Sequence, residues 1–192
     1  MASSFPAPAP TKHLLFRPLH PTDAPRLASI ANCPSISKWM LNTFPSPYTL
    51  SSAEGFIARC ALPVDETKSV DWAICLHSLP LPGSEPDPEP PLIGVCGLKL
   101  GSDVHAHQAI VGYWISPAYQ GRKFGREMLA GLVEWAWRTE GLVRAREGGV
   151  EVDGEGKPVM LGRLAAEVFG GNDASSRHEG HTRLKALVSQ NI

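Results

Sequence analysis

The sequence predicts one domain of mixed α/β (α+β) fold, on three observations. Apolar runs of strand length recur at 70–77, 92–100, 107–116 and 164–169. Other segments return their apolar residues every three or four positions, the spacing of a helix that buries one side. With 192 residues, 43% apolar and 19% charged, the chain is large enough for a single buried core and has the balance of an ordinary globular protein.

Each element has its own local reason. "MASSFPAPAPTK" is rich in proline, alanine and serine and reads as a flexible leader over residues 1–12, ahead of one domain over 13–192. Leu14 to Leu19 is a short strand closed by Pro18 and Pro21. Thr22 or Asp23 then caps a helix carrying Leu27, Ile30 and Ala31 on one side. A further helical segment falls at Ile36–Leu41. In "SSAEGFIARCAL", Ser51 and Glu54 have capping-box spacing, with Phe56, Ile57, Cys60 and Ala61 as the buried stripe. Val70–His77 alternates as a strand.

The segment 78–91 holds six prolines from Pro80 to Pro91 and is an acidic, extended surface loop, since proline fits neither a helix interior nor a central strand. Leu92–Leu100 and His107–Ser116 are strands, the second apolar enough to be central. Gly125–Thr139 is a helix with Met128, Leu129, Leu132, Val133 and Ala136 as its stripe and Gly141 just past its end. Trp135 and Trp137 read as packing groups. Residues 143–162 form an inserted hairpin turning at Asp153-Gly154. Leu164–Phe169 is a core strand, and the tail at 178–192 is polar, then weakly helical.

Charge and composition exclude several classes of function. A net charge of -1 gives no global attraction for nucleic acid or an anionic membrane, so any anion site must be local. The start has no apolar core of signal-peptide length, and no window of about 18 apolar residues is present to span a bilayer. Cys33, Cys60, Cys75 and Cys96 lack CxxC spacing, and Cys75 and Cys96 sit in apolar runs, as buried reduced thiols do. A cytoplasmic protein is expected. His105 and His107 in "HAH" offer two metal ligands without a third, so no metal is expected; they read as loop histidines, with His107 as a water-relaying base. Asp103 and Glu167 are the remaining base candidates.

The stretch "QGRKFG", Gln120–Gly125, stands between the strand and the long helix. A helix start leaves about four N–H groups without intrahelical partners and carries roughly half a positive charge. Glycine lets the backbone approach a ligand, and Arg122, Lys123 and Arg126 add to the field, so the stretch suits a phosphate. It is neither GxxxxGK[ST] nor GxGxxG. Alternatively the glycines only permit a tight turn and the cations are solvated.

"IVGYWISPAYQGRKFGREMLAGLVEWAW" resembles the central strand and pyrophosphate loop of GNAT-type acyl-CoA N-acyltransferases, above all the subgroup of ribosomal-protein alanine N-acetyltransferases. The family pattern Gln/Arg-x-x-Gly-x-Gly/Ala falls on Gln120, Gly121, Arg122, Lys123, Phe124 and Gly125. Gly112-Tyr113-Trp114, Glu127 and "AEVFGGNDASSR" (Ala166–Arg177) match as well, so the resemblance spans roughly residues 14 to 177. It implies a mostly antiparallel twisted sheet, splayed into a V between two central strands, with helices on both faces.

The resemblance also implies a function: an acetyl group passes from acetyl-CoA to a primary amine, either a protein N-terminal α-amine or a small molecule, by direct attack. The amides of Gln120, Gly121, Arg122, Lys123, Phe124, Gly125 and Arg126 hold the pyrophosphate. The backbone of Trp114, Ile115 and Ser116 pairs with pantetheine, and Ile115 is the oxyanion donor. Asn172 and Ser175 touch the coenzyme from the other arm of the V, although helix capping serves equally for Ser175.

Three departures from the family stand out. Lys123 replaces the middle glycine, and Ile110 stands where many relatives have a glutamate. The tail "HEGHTRLKALVSQNI" replaces the usual closing strands and offers no tyrosine acid, so those strands are expected to be missing or altered. A site without an evident base favours an α-amine of pKa about 7.7–8.0 over a lysine side chain near 10.4, because more of the former is neutral at pH 7. The alternative expectation is a degenerate member that binds coenzyme A without catalysis, as an interaction protein.

Overall fold

The computed structural model describes residues 5–77, 90–145, 148–169, 172 and 185–189. Six strands form one sheet in the order of the chain: β1 (Leu14–Arg17), β2 (Ser69–Leu76), β3 (Leu92–Leu100), β4 (Gln108–Ile115), β5 (Arg163–Phe169) and β6 (Lys185–Ser189). Pairing is antiparallel from β1 to β4 and parallel from β4 to β6. Helices cover both faces. On one lies α5 (Phe124–Arg138); on the other lie α1 (Ala24–Ala31) and α3 (Leu50–Cys60). Two short helices, α2 (Pro34–Ser37) and α4 (Val64–Thr67), complete the set.

The sheet has two cores because strand side chains alternate between faces. Val70, Trp72 and Ile74 of β2 and Cys96 and Leu98 of β3 pack with Met128, Leu129, Leu132, Val133 and Ala136 of α5. Ala73, Cys75 and Val95 pack with Leu27 and Ile30 of α1 and Ile57 of α3 on the opposite side. A strand covered on both faces reads as a continuous apolar run. That is why β3 is buried along nearly its whole length. Trp135 lies edge-on to Trp72, with ring centres 6.0 Å apart, so it packs. All four cysteines are unpaired, and Cys75 and Cys96 are buried.

Several local expectations need correction. The helix at residue 24 is entered through a 3₁₀ turn, Pro21–Asp23, capped by His20 rather than by Thr22 or Asp23. The Asp23 carboxylate instead accepts both guanidinium N–H groups of Arg17 at 2.7 Å and the His20 N–H at 2.7 Å. The cap of α3 is Thr49 with Ser52, two residues before the expected capping box. The second helical segment is α2, four residues long and placed two residues earlier than Ile36.

The leader is not a loose end over its described part. Phe5 stacks edge-on against Trp135, the Trp135 indole N–H donates to Pro6 O at 2.9 Å, and the Thr11 hydroxyl donates to Glu127 at 2.6 Å. The tail carries the strand β6 where a weak helix was expected. The exposed edge of β5 offers it a full row of backbone partners, and pairing outweighs a marginal helical pattern. The Pro-rich loop 78–91 lies almost wholly outside the described residues. The inserted hairpin does turn at Asp153: its carboxylate accepts the N–H groups of Glu155 and Lys157 at 2.9 Å. A bidentate Arg144–Asp65 pair ties the insertion to α4.

Asp23 supplies a test of what holds the first crossover. Burial raises the pKa of this carboxyl, but the bonds from Arg17 and His20 outweigh it and hold it below the ordinary range. A carboxylate with a depressed folded pKa stabilises the fold above its unfolded value near 3.9, and loses that contribution as pH falls through the folded value. Asp23→Ala leaves the Arg17 guanidinium without its partner. It should cost about 3 kcal/mol at pH 7 in denaturant titrations, a cost that shrinks as pH falls below about 3.9.

Candidate functional site

The site begins with a sheet that comes apart. β4 has eight residues, but only its first half, Gln108–Val111, pairs with β5, at Arg163–Ala166. Past Ala166, β5 continues to Phe169 alongside β6. The backbone groups of β4 alternate in direction along the strand. Gly101 N–H donates to Gln108 O, and Ser116 N–H donates to Ile93 O, both at 2.8 Å. Even-numbered residues of β4 therefore spend their amides on β3, and odd-numbered ones turn theirs to the β5 side.

Ile115 thus faces its N–H into the split, as the oxyanion role requires, while Trp114 and Ser116 do not. The expected pairing of all three with a ligand is corrected: Trp114 and Ser116 are committed to β3, and Tyr113 and Ile115 are the residues directed toward the gap. Ile115 O accepts the side-chain amide of Gln120 at 2.8 Å, which pins the following loop to the strand end.

From the split end of β4 the chain passes through a 3₁₀ turn, Pro117–Tyr119, and enters α5. Two residues of the loop have positive φ: Gly121 at 74° and Lys123 at 67°. Left-handed backbone costs an ordinary residue about 1–2 kcal/mol, so Lys123 holds this shape at an energetic cost. Its side chain is exposed, as are those of Arg122 and Arg126. The first backbone bond of the helix is Glu127 N–H to Lys123 O at 3.1 Å, which leaves the N–H groups of Phe124, Gly125 and Arg126 directed out of the helix mouth. The free N–H groups of this segment thus belong to the helix mouth, while the Gln120 N–H is spent on Pro117 O at 3.2 Å.

Glu127, in the first turn, is committed elsewhere. Its carboxylate accepts from Thr11 Oγ and from His13 N at 2.7 Å, and lies 2.8 Å from His13 Nδ1. Burial raises its pKa, but these bonds outweigh it and hold it low. The residue anchors the N-terminal segment to the helix.

The other arm of the split is β5. Asn172 is partly buried and lies shortly past Phe169; Ser175 lies outside the described residues. Leu164 and Ala166 belong to the core under α5, so Glu167 projects from the opposite face, exposed, at the first position beyond the paired segment. Glu167 is one of the base candidates of the sequence, and the register sets it one step past the last β4–β5 pair, Val111–Ala166, where the strands split. Ile110 sits on the same face, opposite Lys99 of β3.

His107 is not brought to this site. It precedes β4, so the strand's eight residues, about 26 Å of extended chain, separate it from Ile115. Its Nε2 lies 3.7 Å from Glu151, and we discard it as the base. His105 and Asp103 are in a 3₁₀ turn at the same remote end, where His105 Nδ1 is 3.1 Å from the Gln108 amide. Among the described residues no group of three metal-ligating side chains occurs.

Comparison with known proteins agrees with this geometry. A family model described as an acetyltransferase (GNAT) domain matches residues 13–177. No curated protein matches the chain by sequence. Among solved structures, RimL, a ribosomal L7/L12 α-N-protein acetyltransferase in complex with coenzyme A, superposes with a TM-score of 0.63 at 14% identity, over 91% of this chain and 81% of its own. RimJ of Mycobacterium smegmatis, in complex with a CoA-disulfide, has a TM-score of 0.63 at 17% identity, over 94% and 77%. The ribosomal-protein-S5-alanine acetyltransferase of Vibrio fischeri gives 0.62 at 15%, over 91% and 81%.

The loop's backbone can be tested apart from any ligand. Gly121→Ala forces a side chain into left-handed backbone and should destabilise the chain by about 1 kcal/mol. Lys123→Gly should not destabilise it, because the strain relieved offsets the added freedom of the unfolded chain. Thermal unfolding of the two variants checks the contrast.

Proposed function

Because the chain belongs to the GNAT acetyltransferase family, we propose that it moves an acetyl group from acetyl-CoA to a primary amine by direct attack at the split of the sheet. The observation that carries this is the adjacency of two backbone surfaces: the donor-rich mouth of α5, and the half of β4 beyond its pairing with β5.

The amides from Gly121 to Arg126 hold the pyrophosphate, with Arg122, Lys123 and Arg126 adding positive field. Pantetheine lies along the edge of β4 at Ile115. The Ile115 N–H donates to the thioester carbonyl and stabilises the oxygen as it becomes an anion. Asn172 and Ser175 contact the coenzyme from the β5 side.

Glu167 is the base. At the edge of the split it accepts a proton from the acceptor ammonium, through water. The neutral nitrogen bonds to the carbonyl carbon, the C–S bond breaks, and the second proton lost by nitrogen neutralises the departing thiolate. A thiol near pKa 8.5 leaves readily, so the lack of a tyrosine acid in the tail is tolerable. With one exposed carboxylate as base, acceptors that are already partly neutral at pH 7 are favoured, which selects α-amines over lysine side chains. Four unpaired cysteines suit the reducing cytoplasm.

Thiol release from acetyl-CoA, measured over a panel of peptides and small amines, should detect turnover and show α-amines used faster than lysine ε-amines. Stabilisation by coenzyme A without thiol release on any amine would instead select a non-catalytic coenzyme A binder. Glu167→Gln should lower kcat by about 100-fold, while coenzyme A affinity stays within about twofold of the parent.

A further inference from the structure

At the mouth of α5 the N-terminal segment and the helix are tied together by Thr11, His13 and Glu127. Glu127 Oε1 accepts the Thr11 hydroxyl at 2.6 Å and the His13 N–H at 2.7 Å, and Oε2 lies 2.8 Å from His13 Nδ1. These bonds keep Glu127 ionised, and a carboxylate only accepts, so Nδ1 carries the hydrogen and Nε2 is the nitrogen left to titrate. Among the described residues Nε2 has no bonding partner. The His13 ring lies 5.9 Å from the ring of Phe124, the first residue of α5. Its side chain is 46% exposed, so a proton can reach it from water.

This knot holds the strained part of the loop. Glu127 N–H closes the first turn on Lys123 O at 3.1 Å, and Lys123 is the residue at φ 67°. A strained residue persists only where its surroundings fix it, and here Glu127 does so with the N-terminal segment behind it. The same knot creates a conflict of charge. Glu127 puts a negative charge in the turn whose amides face a diphosphate; the helix dipole favours an acid there, and an incoming anion does not. The charged and titratable groups at the near ends of the elements around His13 are Glu127 and Arg126 of α5, Arg122 and Lys123 of the loop, Lys12 beside it, and His77 at the end of β2, whose N–H donates to His13 O at 2.7 Å. A diphosphate brought among these cations favours one more positive charge, and His13 lies from the mouth at a distance on the order of the Debye length, about 8 Å at physiological salt.

We propose that His13 is a positioning residue of the coenzyme A site, and that it takes up a proton from water at Nε2 when the diphosphate enters the mouth of α5. The reading rests on the coenzyme A binding assigned above. The proton turns the His13–Glu127 contact into a full ion pair, so the charge of Glu127 is answered on its own side and the first turn is drawn against the N-terminal segment. Coenzyme A affinity is thereby linked to the state of that segment, and the link is reciprocal: the ligand that tightens the knot also secures residues 11–13. His13 touches neither the thioester nor the acceptor; it acts through Glu127 and the turn that Glu127 closes.

Calorimetric titration of the full chain with coenzyme A, in two buffers of different ionisation enthalpy, measures the protons taken up. His13→Asn keeps a neutral donor at the position of Nδ1 and cannot gain charge, so its uptake reports the ligand's own phosphates. At pH 7 the parent should take up more protons than His13→Asn, and the difference should fade toward pH 5, where histidines are charged before a ligand arrives. Between pH 6 and pH 8 the parent should lose roughly threefold more affinity than His13→Asn. His13→Lys, with a fixed cation, should show the uptake of His13→Asn and, at pH 8, at least the affinity of the parent. A residue that served the fold alone would leave uptake the same in all three. Should His13→Asn fail to bind, the parent against His13→Lys makes the same comparison. Equal uptake by the parent and a binding variant overturns the proposal and leaves the transferase reading intact. Absence of coenzyme A binding by the parent overturns both.

Discussion

The structure turns on the point where β4 and β5 stop pairing, after Val111 and Ala166. A strand edge in mid-sheet normally hands every N–H and C=O to a neighbour, and an unmet buried amide costs as much as a lost hydrogen bond. Here Ile115, in the second half of β4, turns its amide toward the split. The fold can hold this arrangement because the even-numbered amides remain bonded to β3 up to Ser116, and because the core under α5 fixes both arms from below. An extended ligand with alternating amide groups is the natural complement of such an edge. Gln120, whose side chain takes the Ile115 carbonyl, supplies part of that complement from the chain itself.

The long helix joins two demands in one element. Its apolar stripe is fully buried against the sheet, so its axis is set by packing rather than by the loop before it. Its first turn therefore has a fixed place at the end of β4, and the positive-φ residues Gly121 and Lys123 make up whatever turn is left to close. The N-terminal segment secures the same turn from outside through Glu127, which accounts for a carboxylate at a helix mouth that otherwise collects cations. A negative group in the first turn is also favoured by the helix dipole, so Glu127 stabilises the helix while spending its charge on Thr11 and His13.

Much of this architecture was legible from residues alone. β3, β4, β5 and α5 fall within a residue or so of the segments read from their apolar patterns, since long runs and sustained three-to-four spacing are dominated by burial. The caps were misread by two residues, because Ser51 and Thr49 offer the same chemistry and only packing decides between them. The docking of the leader was invisible, as it depends on one indole N–H and one carbonyl far apart in sequence. The donor loop was readable as a phosphate site from glycine and charge. Which β4 amides face the split was not, because that follows from register. Register also separates His107 from Glu167. Both are polar residues near strand ends in the sequence, and only pairing shows that one lies at the closed end of the sheet and the other at its opening.

Ile110 gains a physical reading from the same register. Position 110 lies on the face that bears Gly112 and Trp114, but within the part of β4 that still pairs with β5 at Ala165. A carboxylate there would sit one step inside the closed region. Glu167 stands on the same face one step outside it, attached to the opposite arm. Gly112, the next residue on that face of β4, leaves the backbone bare beside the opening. At the split, the central strand thus presents bare backbone on this face, with one exposed carboxylate on the opposite arm.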